Sequence, residues 1–400
     1  MQKYVLVSVF LFCFASVSAQ RLNQHYYRAQ AAIDNKNLET ALSWIDSSAQ
    51  SLSRNPYVWL KKGEILFKLK RFTDAAECFN TAESFRKGIA LYWIAKTYAI
   101  QGNEPQALQY LEKHLSSAPK EHEATILLDT AFNAIKQSKQ WKEFWLNDWY
   151  TSYERFIAEV DYYMANSDFD IALELLNDKM HGKRSRHQLY ALRGEVYLKI
   201  NSPKAAEADF KQALKRSKRN HQYIHQLAIS LLAQNKHKKV SKILTKAIDL
   251  SGGEPIYYKT RALAFASDHN YSNALIDTKH YLSFYPNCLE ANEMLSSYSI
   301  ASGKSIDALL QLGKLIKENP AKENYYLLRA KLYMETQKWE VAIIDLNKAI
   351  ELNPSLGDAY LNRGICFVNV NKSSEACADW QKAIKLGIFK AQELSYKHCK

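Results

Sequence analysis

Side chains that could carry out catalysis are not grouped in any known catalytic pattern in this sequence. The 400 residues contain no glycine-rich phosphate loop, no His-Glu-x-x-His, no Cys-x-x-Cys and no Gly-x-Ser-x-Gly. The eleven histidines are scattered or lie in basic stretches, and most carboxylates fall on what would be polar helix faces. The sequence therefore predicts a protein that is not an enzyme and that has no catalytic, cofactor or metal site.

Aromatic side chains that could anchor a partner are concentrated in the stretch QWKEFWLNDWY. Trp141, Trp145 and Trp149 lie four residues apart there, which is the spacing of one helix face. Two interpretations are open for Trp145 and Trp149. Either they pack against a neighbouring helix, or they form an exposed patch that binds a partner, since Trp is enriched among interface anchors.

Positive charge is concentrated in residues 181–246, which contain 16 Lys and Arg and three acidic residues. The whole chain has a net charge of +13, so the remainder is close to neutral. The segment is either a solvated surface that aids solubility or a docking surface for an acidic protein, an anionic lipid or an anionic polysaccharide. The candidate partner-binding residues are Trp145, Trp149, Lys211, Lys215, Arg216, Lys218, Arg219, Lys238 and Lys239.

The elements that position these residues recur at a fixed interval of about 34 residues. Four series share this interval: Pro286, Pro320 and Pro354; Tyr190, Ile224, Tyr258, Asn292, Tyr326 and Tyr360; Gly194, Ala228, Ala262, Ser296, Ala330 and Gly364; and Ala172, Ala206, Val240, Ala274, Ala308, Ala342 and Ala376. Within 326–333 and 342–350 the apolar residues follow the spacing of a helix face. Each repeat is therefore predicted to be an antiparallel helix pair that buries its apolar face by stacking on its neighbours.

These positions resemble the tetratricopeptide repeat. NYYLLRAKLYMETQKWEVAIIDLNKAIELNP and DAYLNRGICFVNVNKSSEACADWQKAIKLG carry that family's aromatic, small, aromatic, Ala, bulky, Ala and Pro positions. The resemblance covers nearly all of residues 22–390 and implies an all-α fold. That fold is a right-handed superhelical solenoid of about eleven antiparallel helix pairs with a C-terminal capping helix. It also implies an inner groove lined by first helices, with groove-type places at Gln188, Ala191, Gln222 and His225.

The same alignment places most cations of 181–246 on second helices or in turns. The positive surface is therefore predicted to lie on the convex side or on an edge, away from the groove.

The regular spacing of the repeats fails near the tryptophans. Leu91 and Phe156 hold equivalent positions, but the step between them is three residues shorter than two full repeats. Trp141 matches the packing aromatic of other repeats, while Phe144 replaces a second-helix alanine and should push the two helices apart. The predicted segments are N-terminal repeats at 20–121, a degenerate repeat or bend at 122–152, a C-terminal array at 153–390 and a capping helix at 391–400.

The C-terminal end contains a candidate disulfide. Cys377 and Cys399 lie eleven residues on either side of Ile388, near the expected turn at Gly387. In an antiparallel helix hairpin, equal distances from the turn put two residues at the same height. The hairpin therefore predicts a Cys377–Cys399 disulfide, and the alternative is two reduced cysteines, one of them buried.

The first residues, MQKYVLVSVFLFCFASVSAQ, have the order of a secretory signal: one Lys, an apolar run and small residues. Cleavage is predicted after Ala19, so residues 1–19 are the signal peptide and the protein is periplasmic or secreted in a bacterial envelope. No later stretch has the roughly 18 uncharged apolar residues of a membrane-spanning helix.

The predicted function is a non-enzymatic scaffold or adaptor for protein or peptide partners in the cell envelope, accessory to an envelope assembly or secretion complex. The alternative is a surface or periplasmic binding module that takes an anionic polymer or acidic partner through 181–246. No nucleic acid partner is expected, because export leads to a nuclease-accessible compartment.

Overall fold

The computed structural model describes residues 22–117, 120–181 and 186–399, so the predicted signal peptide lies outside the described residues. The regular secondary structure of these ranges consists of 23 α-helices and one 3-10 helix, with no strand. None of the described helices is long and apolar enough to span a membrane. The chain divides into two compact units between Ala264 and Phe265, here called unit 1 and unit 2, and each is described by itself.

The helices of unit 1 follow one another in pairs. They are α1 (Gln24–Asp34) and α2 (Leu38–Ser51), α3 (Pro56–Lys68) and α4 (Phe72–Phe85), α5 (Leu91–Ile100) and α6 (Glu104–Leu115), α7 (Glu123–Leu128) and α8 (Lys139–Phe144), α9 (Ser152–Ala165) and α10 (Phe169–Met180), α11 (His187–Lys199) and α12 (Pro203–Arg216), and α13 (His221–Leu232) and α14 (His237–Ser251). The 3-10 helix Thr130–Phe132 lies between α7 and α8. The next helix, α15 (Pro255–Ser267), contains the boundary between the units.

Unit 2 continues the pattern with helices of similar length. They are α16 (Tyr271–Leu282), α17 (Leu289–Ala301), α18 (Ser305–Glu318), α19 (Glu323–Glu335), α20 (Trp339–Leu352), α21 (Gly357–Asn369), α22 (Ser373–Lys385) and α23 (Lys390–His398). In both units the two helices of a regular pair pack on each other, and most neighbouring pairs also pack on one another. The predicted all-α array of stacked helix pairs is confirmed.

A small residue on the first helix determines how closely each pair packs. In three pairs this residue is glycine and faces an aromatic ring 16 positions later: Gly63 and Phe79, Gly194 and Phe210, and Gly364 and Trp380. A Cβ atom at Gly194 would lie 2.9 Å from Cζ of Phe210, closer than real Cβ contacts allow. Where the first residue is alanine, the residue 16 positions later is smaller, as in Ala29 and Ile45, Ala95 and Leu111, Ala228 and Leu244, and Ala330 and Leu346.

The turn inside each regular pair contains one residue in the left-handed conformation. These residues have φ between 55° and 74°, and they are Lys36, Lys70, Gly102, Ser167, Asn201, Asn235, His269, Gly303, Gln337 and Asn371. The following N–H then reaches back to the first helix, as in the bond from Arg71 N to Leu66 O at 2.9 Å, which satisfies a carbonyl at the helix end. Eight of the ten are not glycine, although an L residue costs about 1 kcal/mol in this conformation.

A half-buried ion pair joins the two helices of three pairs. Both guanidinium N–H groups of Arg193 donate to the carboxylate of Asp209, at 2.7 and 2.8 Å. The same bidentate contact links Arg329 with Asp345 and Arg363 with Asp379. Planar two-point contacts of this kind fix the relative height of the two helices as well as their distance.

The repeat at 122–152, called the distorted repeat below, departs from this plan. Its α7 stops before Asp129, whose carboxylate accepts hydrogen bonds from the Tyr92 hydroxyl and the Ala131 amide at 2.8 and 2.9 Å. The same carboxylate pairs with the ammonium of Lys96 at 2.8 Å. These contacts with α5 hold Asp129 in an extended conformation (ψ 120°), so the first helix is interrupted there.

The second helix of the distorted repeat is also short. α8 has six residues and ends at Phe144, whose ring stacks on Trp149 at a centroid distance of 4.7 Å. Phe144 therefore does not lie between two helices of ordinary length, as it would if it simply replaced the alanine of a regular repeat. No residue of 122–152 has the left-handed turn conformation.

Unit 1 also contains a contact between its two ends. The amide of Leu22 and the hydroxyl of Tyr27 both donate to the carbonyl of Ser251, at 3.3 and 2.8 Å. Tyr27 is in α1, whereas Ser251 is the last residue of α14. The first helix pair of unit 1 is thus hydrogen-bonded to the end of its seventh pair.

Candidate partner-binding surfaces

The first helices of unit 1 present a ladder of histidines and tyrosines. Nδ1 of His187 shares a hydrogen bond with the Tyr223 hydroxyl at 3.0 Å, and one repeat later Nδ1 of His221 does so with the Tyr257 hydroxyl at 2.7 Å. His225 also lies against Tyr257, with ring centroids 4.7 Å apart. These contacts link α11, α13 and α15, which are first helices of successive repeats, and the exposed side of these first helices is called the first-helix face below.

The histidines of this face are neutral at physiological pH. Burial lowers the pKa of His221 to about 4, and burial together with the charge of His221 lowers that of His225 to about 4. An uncharged imidazole has one donor and one acceptor nitrogen. The first-helix face therefore presents partly exposed imidazole rings without positive charge from these residues, and the tyrosines that hold these rings are buried.

The groove positions predicted from the repeat are only partly right. Gln188 and His225 are partly exposed and Gln222 is exposed, as expected of groove residues. Ala191 was predicted to be at the groove but is completely buried. Its small side chain is covered because the next first helix packs there, in a core cluster that includes Tyr223 and Leu227.

Two carboxylates on the first-helix face were not identified from the sequence. Asp161 in α9 and Glu195 in α11 hold the same position in successive repeats, one repeat length apart. Burial and then the charge of Asp161 raise the pKa of Glu195 to about 7. Burial also raises the pKa of Asp161, whose Oδ2 lies 3.5 Å from Nε2 of His122. Their shared position in the repeat was the signal that could have found them.

The cations of 181–246 lie where the alignment placed them. Lys211, Lys215, Arg216, Lys238 and Lys239 are on the second helices α12 and α14, and Lys218 and Arg219 are in the turn between α12 and α13. All seven are exposed. They form the surface called the basic surface below.

Glu207 is the acidic residue bound to this surface. Although burial opposes ionisation, hydrogen bonds from Lys211, Lys236 and Gln234 lower the pKa of Glu207 to about 2. The Lys211 and Lys236 ammonium groups lie 2.5 and 2.7 Å from its oxygens. Within the described residues no ion pair is formed by the remaining lysines and arginines of the basic surface, which are Lys215, Arg216, Lys218, Arg219, Lys238 and Lys239.

Trp145 and Trp149 are half-buried, and both pack against the core of the distorted repeat. The Trp145 ring lies 5.8 Å from that of Trp141, which is buried. Nε1 of Trp149 donates to the Phe144 carbonyl at 3.0 Å, whereas Nε1 of Trp145 is buried without a hydrogen-bond partner among the described residues. A cleft of about 290 Å³ lies beside them. These contacts favour the packing interpretation over the exposed anchor.

The structure brings the two C-terminal cysteines together. Cys377 in α22 and Cys399 after α23 form a disulfide with Cα atoms 5.7 Å apart. Of the other described cysteines, Cys78 and Cys366 are buried and Cys288 is partly buried. No group of three or more His, Cys, Asp or Glu side chains in the described ranges is arranged to hold a metal ion.

Sequence profiles of known families match three stretches of the chain. Two profiles of the tetratricopeptide repeat match residues 60–122 and residues 187–220 and 323–356, respectively. The chain contains tetratricopeptide repeats. The matched stretches cover regular helix pairs of both units, and the first of them ends at the first residue of the distorted repeat.

Solved structures of other tetratricopeptide repeat proteins resemble this one. The C-terminal part of a repeat-containing protein from Cytophaga hutchinsonii is 15% identical, with a TM-score of 0.51, over 59% of this chain and 98% of that chain. A repeat protein from Parabacteroides merdae is 20% identical, with a TM-score of 0.46, over 62% of this chain and 99% of that chain. No curated protein matches the chain in sequence.

Tetratricopeptide repeat proteins bind protein or peptide partners and are typically scaffolds without enzymatic activity. One solved example, YrrB, is described as having an unusual peptide-binding site, and it is 16% identical over 47% of this chain and 97% of its own, with a TM-score of 0.41. The repeats of the present chain make it a scaffold for protein–protein interactions.

Proposed function

We propose that this tetratricopeptide repeat protein is an exported, non-enzymatic scaffold that holds a protein or peptide partner on the first-helix face of unit 1. The observation that carries the proposal is the ladder formed by His187 with Tyr223 and by His221 with Tyr257. The ladder repeats with the helix pairs, so a single extended segment of a partner would meet an equivalent, partly exposed imidazole at successive repeats.

Two features support an envelope location and a role as an accessory of an envelope assembly or secretion complex. The stretch at 1–20 has the composition of a cleavable signal. The Cys377–Cys399 disulfide also suits an oxidising compartment, since disulfides are rare in reducing cytosol. The role in a complex rests on analogy with other proteins built from this repeat.

A pair of matched substitutions tests the first-helix face. Gln222 is exposed on the first helix α13, and Ala208 is exposed on the second helix α12. Each is changed to Arg, which adds the same charge and bulk at the two sites, and partners are captured from envelope extract and identified by mass spectrometry. The proposal expects Gln222→Arg to lose a partner that wild type and Ala208→Arg both retain. Equal retention by both variants would refute it.

The basic surface supports a second candidate function, which is binding of an anionic polymer or an acidic partner. The specific observation is that six of its seven cations are exposed without an ion pair in the described part of the chain. Clustered unpaired cations attract polyanions over distances of about 10 Å at moderate salt.

Replacing Lys215, Arg216, Lys218 and Arg219 with Ser tests this second function. The matched control replaces Lys317, Lys331, Lys338 and Lys382, four exposed lysines of unit 2, with Ser. Binding to polyglutamate and to a sulfated polysaccharide is measured at rising salt. Loss confined to the first variant supports the basic surface, and equal loss in both variants indicates nonspecific charge attraction. The double change Trp145→Ala and Trp149→Ala should leave this binding intact.

A further inference from the structure

We propose that Asp161 and Glu195 form a socket on the first-helix face for the ammonium or guanidinium group of a Lys or Arg side chain in the bound peptide. This inference rests on the proposed function and names the chemistry of the partner. It concerns one position of the partner, so it can fail while the first-helix face remains the binding surface.

The position of the two carboxylates in the repeat supports a shared ligand. They lie on α9 and α11, which are first helices of successive pairs, at equivalent positions one repeat apart. The charge of Asp161 acts on Glu195, and equivalent side chains on first helices of successive pairs lie on the same side of the stack, so the two carboxylates can approach one cationic group together. The Asp161 side chain is 36% exposed and Glu195 is partly exposed, so the socket is open to solvent.

The described residues do not supply the charge that would balance Glu195. This residue is deeply enclosed, and it forms no hydrogen bond or ion pair with any of them. The Tyr223 hydroxyl, which lies within its electrostatic range, is hydrogen-bonded to His187. Lys199, one turn later on α11, is exposed and interacts with Glu195 only at a distance. Enclosed carboxylates are normally paired, because removing an unpaired charge from water is costly.

The second carboxylate strengthens the attraction for a cation. Two carboxylates close together repel each other, and this repulsion is relieved when one positive group lies between them. His122 contacts Asp161 at 3.5 Å, and Glu195 has no such neighbour in the described ranges. A Lys or Arg side chain matches this arrangement, since its charged head binds carboxylates while its alkyl stem packs on apolar or aromatic surface.

Two terminally blocked nonapeptides of Ala, Ser and Gly test the socket on the full chain. One has a central Lys and the other a central norleucine, which has a similar stem without the charge. Binding is measured at low salt by fluorescence anisotropy. The Lys peptide is expected to bind about tenfold more tightly than the norleucine peptide. In Glu195→Gln and in Asp161→Asn the two peptides should bind within about twofold of each other.

The matched control is Glu159→Gln, because Glu159 is an exposed carboxylate on α9 itself. It should leave the preference for Lys unchanged. Equal binding of the Lys and norleucine peptides to wild type, or the same loss of preference in Glu159→Gln, would overturn the socket. Loss of the natural partner in Gln222→Arg with full retention in Glu195→Gln would also overturn it while preserving the proposed function. Circular dichroism confirms that each variant is folded.

Discussion

The helix pair α11–α12 and the distorted repeat are both repeats of unit 1, yet each is stabilised by different internal contacts. In α11–α12 the Gly194 backbone meets the Phe210 ring, and a left-handed residue, Asn201, closes the turn. In the distorted repeat both helices are short, and the turn has no left-handed residue. Its core is an aromatic cluster around Trp141, and Asp129 links it to α5.

The difference shows which parts of a repeat are needed for stacking. A regular pair depends on a small residue opposite a large one and on a turn of fixed shape. The distorted repeat lacks these, but it still buries apolar surface against the preceding pair through aromatic side chains. Stacking on a neighbouring pair therefore does not require two full helices in every repeat.

The largest effect is expected in the distorted repeat. Trp141 is 4% exposed and contacts Phe132 at a centroid distance of 5.4 Å. Trp141→Ala should lower the local stability of residues 122–152 by about 3–5 kcal/mol, because it removes the centre of the cluster. Hydrogen exchange of amides in α5 to α8 measures this loss, and the exchange of α11 and α12 should not change.

Trp145→Phe is the control within the same cluster. It keeps an aromatic ring but removes an indole N–H that has no acceptor among the described residues, so the stability should change by less than about 1 kcal/mol. If Trp145→Phe destabilises the distorted repeat as much as Trp141→Ala does, Trp145 is a central packing residue of the cluster and Trp141 is not its sole centre.

The stability of the regular pair α11–α12 should fall when a single methyl group is added to its interface. Gly194→Ala places a methyl group 2.9 Å from the Phe210 ring and should cost about 1–3 kcal/mol. Phe210→Leu added to it should recover part of the loss, since Ala228 and Leu244 already form this combination one repeat later. Hydrogen exchange of α11 and α12 provides the measurement, and purely additive effects would contradict the proposed fit.

The first helix of the pair α11–α12 also carries an unfavourable charge, so the stability of this pair depends on pH. The folded-state pKa of Glu195 is about 7, above the ordinary value of 4.5, so the wild type loses stability as pH rises between these values. Glu195→Gln should therefore stabilise α11 by on the order of 1 kcal/mol at pH 8 and by almost nothing at pH 4. Hydrogen exchange at the two pH values tests this, and a pH-independent gain would show that charge is not the cause.

The smallest effect concerns the turns. Gln337 has φ 55°, so Gln337→Gly should stabilise the α19–α20 pair by about 0.5–1 kcal/mol. In the distorted repeat Lys136 has no positive φ, so Lys136→Gly should give no gain. Thermal unfolding of the two variants compares them, and an equal shift in both would mean that the turn conformation is not responsible.

The regular parts of the fold could be predicted because each repeat imposes the same steric requirements at the same positions. The interruption at Asp129 could not, since its partners Tyr92 and Lys96 belong to the preceding pair and leave no local pattern. Asparagine at 201, 235 and 371 suits the left-handed turn, but Lys36 and Gln337 take the same conformation without a residue-type signal.

The candidate site was less predictable than the fold. The exposed position of the basic surface followed from the assignment of second helices. The enclosure of Glu195 did not, because a carboxylate on a helix resembles ordinary solvated surface until neighbouring helices are in place. Ala191 was misplaced for the same reason: its burial depends on α13, which lies in the next repeat.

Because of the hydrogen bonds from Leu22 and Tyr27 to Ser251, unit 1 is a closed array of repeats and not an open one. A chain of repeats with contacts only between neighbours can fray from either end, and a long array of this kind need not unfold in one all-or-none step. Here the end of the first pair and the end of the seventh are joined across 224 residues of sequence. Loosening the first pair therefore also breaks a contact of the seventh, and closing so long a loop has an entropic cost that favours all-or-none opening. Unit 1 should unfold over a narrower range of denaturant than an open array of seven pairs.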